Sequence, residues 1–453
     1  MTQDIGAQDV ACHLHGYTNA RRHEDTGAMV IARGEGPYVF DEAGNKYLEG
    51  MSGLFSVALG FSEQRLIDAA TRQLQALPFY HVFGHKTHGP VAALAQKLID
   101  IAPVPMSKVF FTNSGSEAND TAVKLIWFYN NARGLPQKKK IIARQGAYHG
   151  VTIASGSLTG LPYNHRGFDL PIAGILHASC PHYYRYGRPG ESEEAFSQRL
   201  VDELEQLILR EGPDTIAALF GEPMMASGGI MPPPRGYWQG VQALCRQYDI
   251  LLVADEVVCG FGRTGAMFGC QTFGITPDMM VLSKQLSSSY MPISALLMND
   301  KVYRVIRDYS GEIGTLGHGL TAGGHPVAAA VALENINIIE ERGLVARAAQ
   351  LGDYLHSRLQ QFAAHPLVGE IRGQGLIAAI ELVADKAGKQ QFSPPGKAGV
   401  YFNSRCQAHG LIIRNGADNI IICPPLIVDE SHIDFLVDVL GRALQETADW
   451  LAA

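Results

Sequence analysis

Between residues 108 and 298, short apolar, β-rich runs alternate with longer amphipathic ones, and this alternation constrains the fold more than any other feature of the chain. "KVFFT", "KKIIA", "TIAALFG", "ILLVADEV", "MMVLSK" and "ISALLM" read as buried strands, while "SEANDTAVKLIWFYNNA" and "GYWQGVQALCRQY" carry helical spacing. Strands separated by helices pair in parallel through crossovers, which predicts an α/β domain with a mostly parallel sheet. "GPYVFDEAGNKYLEGMSG" reads as a hairpin turning on "DEAGN". Beyond residue 330 follow a long helix, the strands "GLIAAIELV", "LIIRN" and "NIIICPP", and a final helix. The expected division is an N-terminal segment 1–60 joining a smaller α+β domain, a large domain 61–330, and a C-terminal part of the small domain 331–453.

Composition closes off several function classes. At 453 residues, 46% hydrophobic and 18% charged, the chain is long enough for a large buried core, and no apolar run reaches the roughly 18 residues needed to cross a bilayer. A net charge of −7 lacks the basic footprint of a nucleic-acid binder, and "QKKKII" reads as a solvated approach to a strand. Seven scattered cysteines without CxxC pairing predict reduced structural thiols and no metal site. The first residues have no apolar core behind a basic start, so a cytoplasmic location is expected.

In an open α/β sheet, ligands sit beyond the carboxyl ends of the strands, so polar residues directly after apolar runs are the places to look. "VFFTNSGSEAND" sets Ser114, Gly115 and Ser116 between a strand and a helix, where free N–H groups and the helix dipole favour a phosphate. The same residues also read as a helix cap, with Glu117 in the first turn. "LLVADEVVCGFGRTG" ends a strand on Asp255 and Glu256, buried carboxylates that need partners. They read as a weak metal site or as an acceptor for a protonated heteroaromatic nitrogen, and the glycines that follow read as a tight turn more readily than as a dinucleotide loop. Lys284 ends the next strand, in "VLSKQLSSSY". Desolvated there, its amine is free to attack a carbonyl, although a snorkelling lysine or a partner for Asp255 would look the same. A phosphate loop, a carboxylate for a ring nitrogen and an imine-forming lysine together match the three handles of pyridoxal 5′-phosphate (PLP).

The ordered set "TNSGSEAND", "GAYHG", "FGEP", "LLVADEVVCGFGRTG", "SKQLSSSYMPISA" and "GHGLTAGGHP" closely resembles the fold-type I PLP-dependent class III aminotransferases, in particular their ω-transaminase branch, from about Gly27 to the last helix. The resemblance implies a homodimer with shared active sites. It makes Lys284 the Schiff-base lysine and Asp255 the pyridinium partner. Gly115 and Ser116 become phosphate ligands, Tyr148 the ring stacked on the cofactor, and Val257 the apolar group on its other face. Thr321 would reach the phosphate from the partner subunit, where composition alone reads a turn residue. Glu222 would support the cofactor or Asp255, and its plain reading is a structural acceptor.

The implied reaction moves an amino group from an amine or ω-amino acid to an oxo acid such as pyruvate in two separable half-reactions. Arg414, read as lying just after the strand "LIIRN", matches the branch's mobile carboxylate-binding arginine, and an arginine fork suits a carboxylate. Relatives of the ornithine and 4-aminobutyrate type carry a glutamate where this chain has Ser227, which favours pyruvate-type acceptors. Phe55, Phe83 and Tyr163 are expected to line the substrate pocket. Phe55 and Gly84 stand where aromatics are common, and Gln285 and Ala322 also depart from the usual Gly and Tyr. The competing expectations are a semialdehyde aminomutase, a decarboxylating transaminase, or a catalytically silent ligand-binding relative.

Overall fold

A computed structural model describes residues 4–453. Three short strands come first: β1 (Ile31–Glu35), β2 (Tyr38–Asp41) and β3 (Lys46–Glu49). β2 and β3 form the expected hairpin, whose turn closes because the Asp41 carboxylate accepts the Asn45 N–H at 2.8 Å, the Asn45 amide at 2.8 Å and the Tyr47 hydroxyl at 3.0 Å. β1, absent from the sequence reading, pairs antiparallel with β2.

The central sheet holds β4 (Lys108–Thr112), β5 (Lys140–Arg144), β6 (Ile175–Ala178), β7 (Ile216–Gly221), β8 (Leu251–Asp255), β9 (Met279–Leu282) and β10 (Ser294–Met298) in the order β4-β10-β9-β8-β7-β5-β6. The run from β6 to β9 is parallel throughout. β10 lies antiparallel between β9 and β4, the one departure from parallel pairing. Every residue of β7, β8, β9 and β10 is buried, because helices cover both faces and leave no solvent side to reward alternation. β6 was not anticipated: its "ILHA" is four residues long and places a histidine in the run.

A third sheet, in the order β11-β12-β15-β14, contains β11 (Val368–Gly373), β12 (Ala378–Leu382), β14 (Arg414–Gly416) and β15 (Asn419–Ile422). β13 (Leu411–Ile412) pairs parallel with β3 instead, so the two ends of the chain share a sheet. "LIIRN" is therefore two strands broken at Ile413, and Arg414 opens β14 where it was expected to follow a strand.

The lysine run also differs from expectation. Lys138 is buried, with its ammonium donating to the Tyr248 carbonyl at 3.2 Å. Lys139 donates to the Trp127 carbonyl at 3.0 Å and Lys140 pairs with Glu211 at 2.8 Å, so this cluster is tied into its own fold and presents no free basic face. All seven cysteines are free thiols, six of them buried. Among the described residues no helix is long and apolar enough to cross a membrane.

Candidate active site

Asp255 pairs with Val281 across the parallel β8 and β9, which sets Lys284 three residues beyond that register point at the same end of the sheet. A cavity of about 370 Å³ opens there, lined by Lys284, Asp255, Glu222, Tyr148 and Val257, and by Ser114, Gly115 and Ser116 at the start of the helix Gly115–Ala132.

Lys284 holds a left-handed backbone, φ 49°, and so do Ser288 at 49° and Ser289 at 59°. For residues with a Cβ this conformation costs about 1–2 kcal/mol each, so something must over-determine the turn. Asn335, buried on the helix Pro326–Glu341, does so: its amide donates to the Gln285 carbonyl at 2.7 Å and the Leu286 carbonyl at 3.1 Å, and its oxygen accepts from Ser288 at 2.6 Å. Ser287 donates to the Met291 carbonyl at 2.6 Å. The serines after the lysine are thus a clamp that fixes where its stem leaves the strand. Burial lowers the Lys284 pKa below its ordinary value, against the opposing charges of Asp255 and Glu222 and with help from Arg414. The shift is toward the neutral amine that a nucleophile or proton carrier requires.

Asp255 is buried and held through both oxygens. One oxygen accepts from His149 Nδ1 at 2.7 Å and Asn119 Nδ2 at 2.9 Å, and the other accepts the Val257 N–H at 3.1 Å. His149 is itself held edge-on to Phe220, with ring centroids 6.2 Å apart. Glu256, expected beside Asp255 as a pair, points elsewhere: it accepts the N–H groups of Gly269 at 2.9 Å and Cys270 at 2.6 Å, and burial raises its pKa to about 7. Glu222 accepts the N–H groups of Tyr148 at 3.0 Å and Ala226 at 2.8 Å, and burial raises its pKa too. It braces the Tyr148 backbone.

At the helix start both expected readings coexist. Ser114 Oγ accepts the Glu117 N–H at 3.2 Å while Glu117 reaches back to the Asn113 N–H at 2.7 Å, a reciprocal cap. The cap leaves the N–H groups of Gly115 and Ser116 without an intrahelical acceptor, which suits an anion. A Cβ on Gly115 would stand 3.3 Å from Val257 Cγ2, so bulk there would crowd the wall of the cavity. An amine at one wall, a fixed carboxylate at a second and a helix N-terminus at a third fit the aldehyde, ring nitrogen and phosphate of PLP, and the cavity has room for it.

Arg414 lies close enough to Lys284, Tyr148 and Tyr163 for its charge to act on all three: burial lowers the lysine's pKa and raises both tyrosines', and the guanidinium adds to the first shift and opposes the other two. No ion-pair partner meets it among the described residues. The Ser227 carbonyl lies 3.9 Å from where a Cβ on Gly416 would stand, two residues along β14 from Arg414.

The remaining expected residues scatter. Thr321 is exposed and is not on the cavity wall of its own chain. Phe55 is also off that wall, buried in a small cluster with Met51, Met224, Ile230 and Val258, and it carries a positive φ of 62°. Phe83 and Gly84 line a separate cavity with Phe111, His318 and Leu320. Tyr163 is more than half exposed and packs edge-on to Tyr17 at 6.5 Å. The "GFGRTG" glycines form a turn, with Gly265 N–H bonded to the Gly262 carbonyl at 3.0 Å, and the buried Arg263 between them donates to the Leu376 and Pro424 carbonyls at 2.8 and 2.7 Å.

Sequence reasoning named neither Asn119 nor His149, although "AYHG" put the histidine next to Tyr148. Both carry buried atoms without a protein partner, His149 Nε2 and Asn119 Oδ1. Tyr17 was also missed: its hydroxyl donates to the Tyr148 hydroxyl at 3.5 Å, and burial with that contact raises the Tyr148 pKa.

The family model "Aminotransferase class-III" matches residues 18–444. A Solanum lycopersicum protein named Gamma aminobutyrate transaminase 1, mitochondrial, is 49% identical over 432 residues, 95% of this chain and 84% of its own length. The omega transaminase from Pseudomonas jessenii in complex with PMP superposes with a TM-score of 0.98 at 59% identity, covering 99% of both chains. A thermostable 6-fold mutant of a Pseudomonas jessenii omega transaminase does so with the same score and identity, covering 99% of this chain and 100% of that one.

Proposed function

The chain belongs to the class III aminotransferases, PLP-dependent enzymes that transfer an amino group, and from that premise we propose that it takes the group from an amine or ω-amino acid and delivers it to pyruvate. The observation that carries the acceptor reading is Arg414, a guanidinium beside Lys284 with no carboxylate against it among the described residues. An arginine left unneutralised is available to hold the carboxylate of a small oxo acid. Likeness to a protein named gamma aminobutyrate transaminase brings 4-aminobutyrate into the donor set, so Ser227 bears on the acceptor more than on the donor.

PLP, when bound, supplies an aldehyde that amines condense with and a cationic ring that takes up electron density from the substrate carbon. In the proposed roles, Lys284 would hold PLP through its aldehyde, and its amine would serve as the proton carrier at the substrate carbon. Asp255, oriented by His149 and Asn119, would hold the ring nitrogen's proton. Gly115, Ser116 and Ser114 would receive the phosphate at the helix N-terminus, and Tyr148 and Val257 would flank the ring. Glu222 keeps Tyr148 in place.

A homodimer is part of the proposal. Thr321 is exposed on its own chain, and Phe79, Tyr80 and Phe83 are each exposed by more than 40%, which favours a partner surface supplying Thr321 to the neighbouring phosphate. The proposed division is 1–60 and 331–453 for the small domain and 61–330 for the large one, with the proposed setting cytoplasmic.

A donor panel of aliphatic amines, 1-arylethylamines, β-alanine, 4-aminobutyrate and diamines, run with pyruvate and separately with 2-oxoglutarate, tests the reading. Alanine formed in step with ketone or aldehyde supports it. Product formed without any external acceptor would instead mark an aminomutase.

A further inference from the structure

Outside the site, Asp9 gathers three imidazoles. It lies in helix α1 (Ile5–Cys12); His13 and His15 follow it, and His23 belongs to helix α2 (Ala20–Thr26). One Asp9 oxygen stands 3.0 Å from His13 Nδ1, and the other 2.7 Å from His15 Nε2 and 3.2 Å from His23 Nε2. The rings crowd together, with centroids 4.4 Å apart for His13 and His15 and 4.3 Å for His15 and His23. Neither helix buries a residue, and at eight and seven residues each is too short to be stable alone. Convergence of four polar side chains on this segment needs a cause other than a core.

Hydrogen bonds to the Asp9 carboxylate draw the rings together, and the same donor set can hold a metal ion. Ligands of a tetrahedral zinc at about 2.0–2.1 Å stand roughly 3.3 Å from one another, and the facing atoms of Asp9, His15 and His23 already lie within 4.8 Å of one another. No Lys or Arg pairs with Asp9 among the described residues. The contrast is His182 with Glu370 and Glu381, a second convergent set, whose carboxylates are already taken by Arg372 at 2.7 and 2.6 Å. Nitrogen-rich donors select zinc, copper or nickel over magnesium or calcium.

We propose that Asp9, His15 and His23, with His13 at the rim, bind a divalent transition-metal ion of the zinc class and clip α1 to α2. The clip spans Tyr17, whose hydroxyl donates to that of the cavity-lining Tyr148 and accepts from Asn164. Metal binding therefore steadies Tyr17 against Tyr148 while leaving the reacting groups untouched.

The test uses tag-free, chelator-treated holoenzyme, with Zn²⁺ alone titrated by calorimetry at pH 7.5 and bound zinc counted by mass spectrometry after dialysis. The expected result is one zinc per chain, with Ca²⁺ and Mg²⁺ failing to compete. The variant H15A/H23A should lose at least about tenfold in affinity, and limited proteolysis between residues 12 and 26 should slow with zinc only in the wild type. Equal zinc uptake by wild type and variant, or equal protection by Ca²⁺, would overturn the site. A variant that melts below wild type without zinc is replaced by H23Q, which must show the same loss. Amino transfer is assayed separately, so failure of this site leaves the aminotransferase reading standing.

Discussion

His149 Nδ1 lies 2.7 Å from Asp255 Oδ2, and both side chains are buried. The contact fixes the carboxylate's direction before any ring nitrogen meets it, and it makes His149 a positioning residue. Hydrogen bonds to charged groups are worth about 1.5–3 kcal/mol, so His149→Leu should lower kcat by roughly 10- to 100-fold with a smaller change in donor KM. Asp255→Asn should cost more, on the order of 10²–10³. Stopped-flow half-reactions with each variant check the order; a His149→Leu enzyme as fast as wild type would detach the histidine from Asp255's role.

Arg414→Ala removes the cation proposed to hold an acceptor's carboxylate. The second half-reaction, with pyruvate, should weaken by about 10- to 100-fold in kcat/KM. The first half-reaction with a carboxylate-free arylamine should change by less than about threefold. Equal losses in both halves would show that the arginine supports the fold or the cofactor and does not clamp the acceptor.

Glu256, off the cavity wall, carries a pH signature of its own. Its folded pKa of about 7 lies above the ordinary 4.5, so between those values the folded state holds more protons than the unfolded one, and stability falls as pH rises through that window. Glu256→Gln removes this titration while keeping an acceptor for Gly269 or Cys270. The melting temperature of the variant relative to wild type should therefore rise by a few degrees, roughly, from pH 5 to pH 7.5. A difference that stays flat would mean Glu256 is ionised in the fold at both ends.

Lys284→Ala should leave a protein that still takes up PLP through Asp255, Tyr148 and the helix N-terminus. Turnover should fall by at least about 10³, the loss expected when the nucleophile and the proton carrier go together. Added methylamine should restore a small fraction of it. Retained turnover would reassign the lysine.

What the sequence made legible was whatever a strand end or a helix start displays locally. Lys284 and Asp255 each follow an apolar run, and Ser114 opens a helix, so residue type and position sufficed for all three. The residues that support them act across distance: Asn119 reaches Asp255 over 136 positions and Asn335 reaches Gln285 over 50. Nothing in their own neighbourhoods distinguishes them from other helical asparagines. Arg414 was found by resemblance, but its strand was misjudged because Ile413 breaks an apolar run between two sheets, and periodicity cannot see which sheet a strand joins. Phe55 was read as a pocket residue from the resemblance, as standing where the branch often has an aromatic, whereas here it has a positive φ and packs into the Met51–Val258 cluster.

The most direct measurement is borohydride reduction of the PLP-loaded enzyme followed by peptide mass mapping. A single phosphopyridoxyl adduct on Lys284, accompanied by loss of activity, is the predicted result. An adduct on any other lysine, or none on an enzyme that still transfers amino groups, would contradict the account.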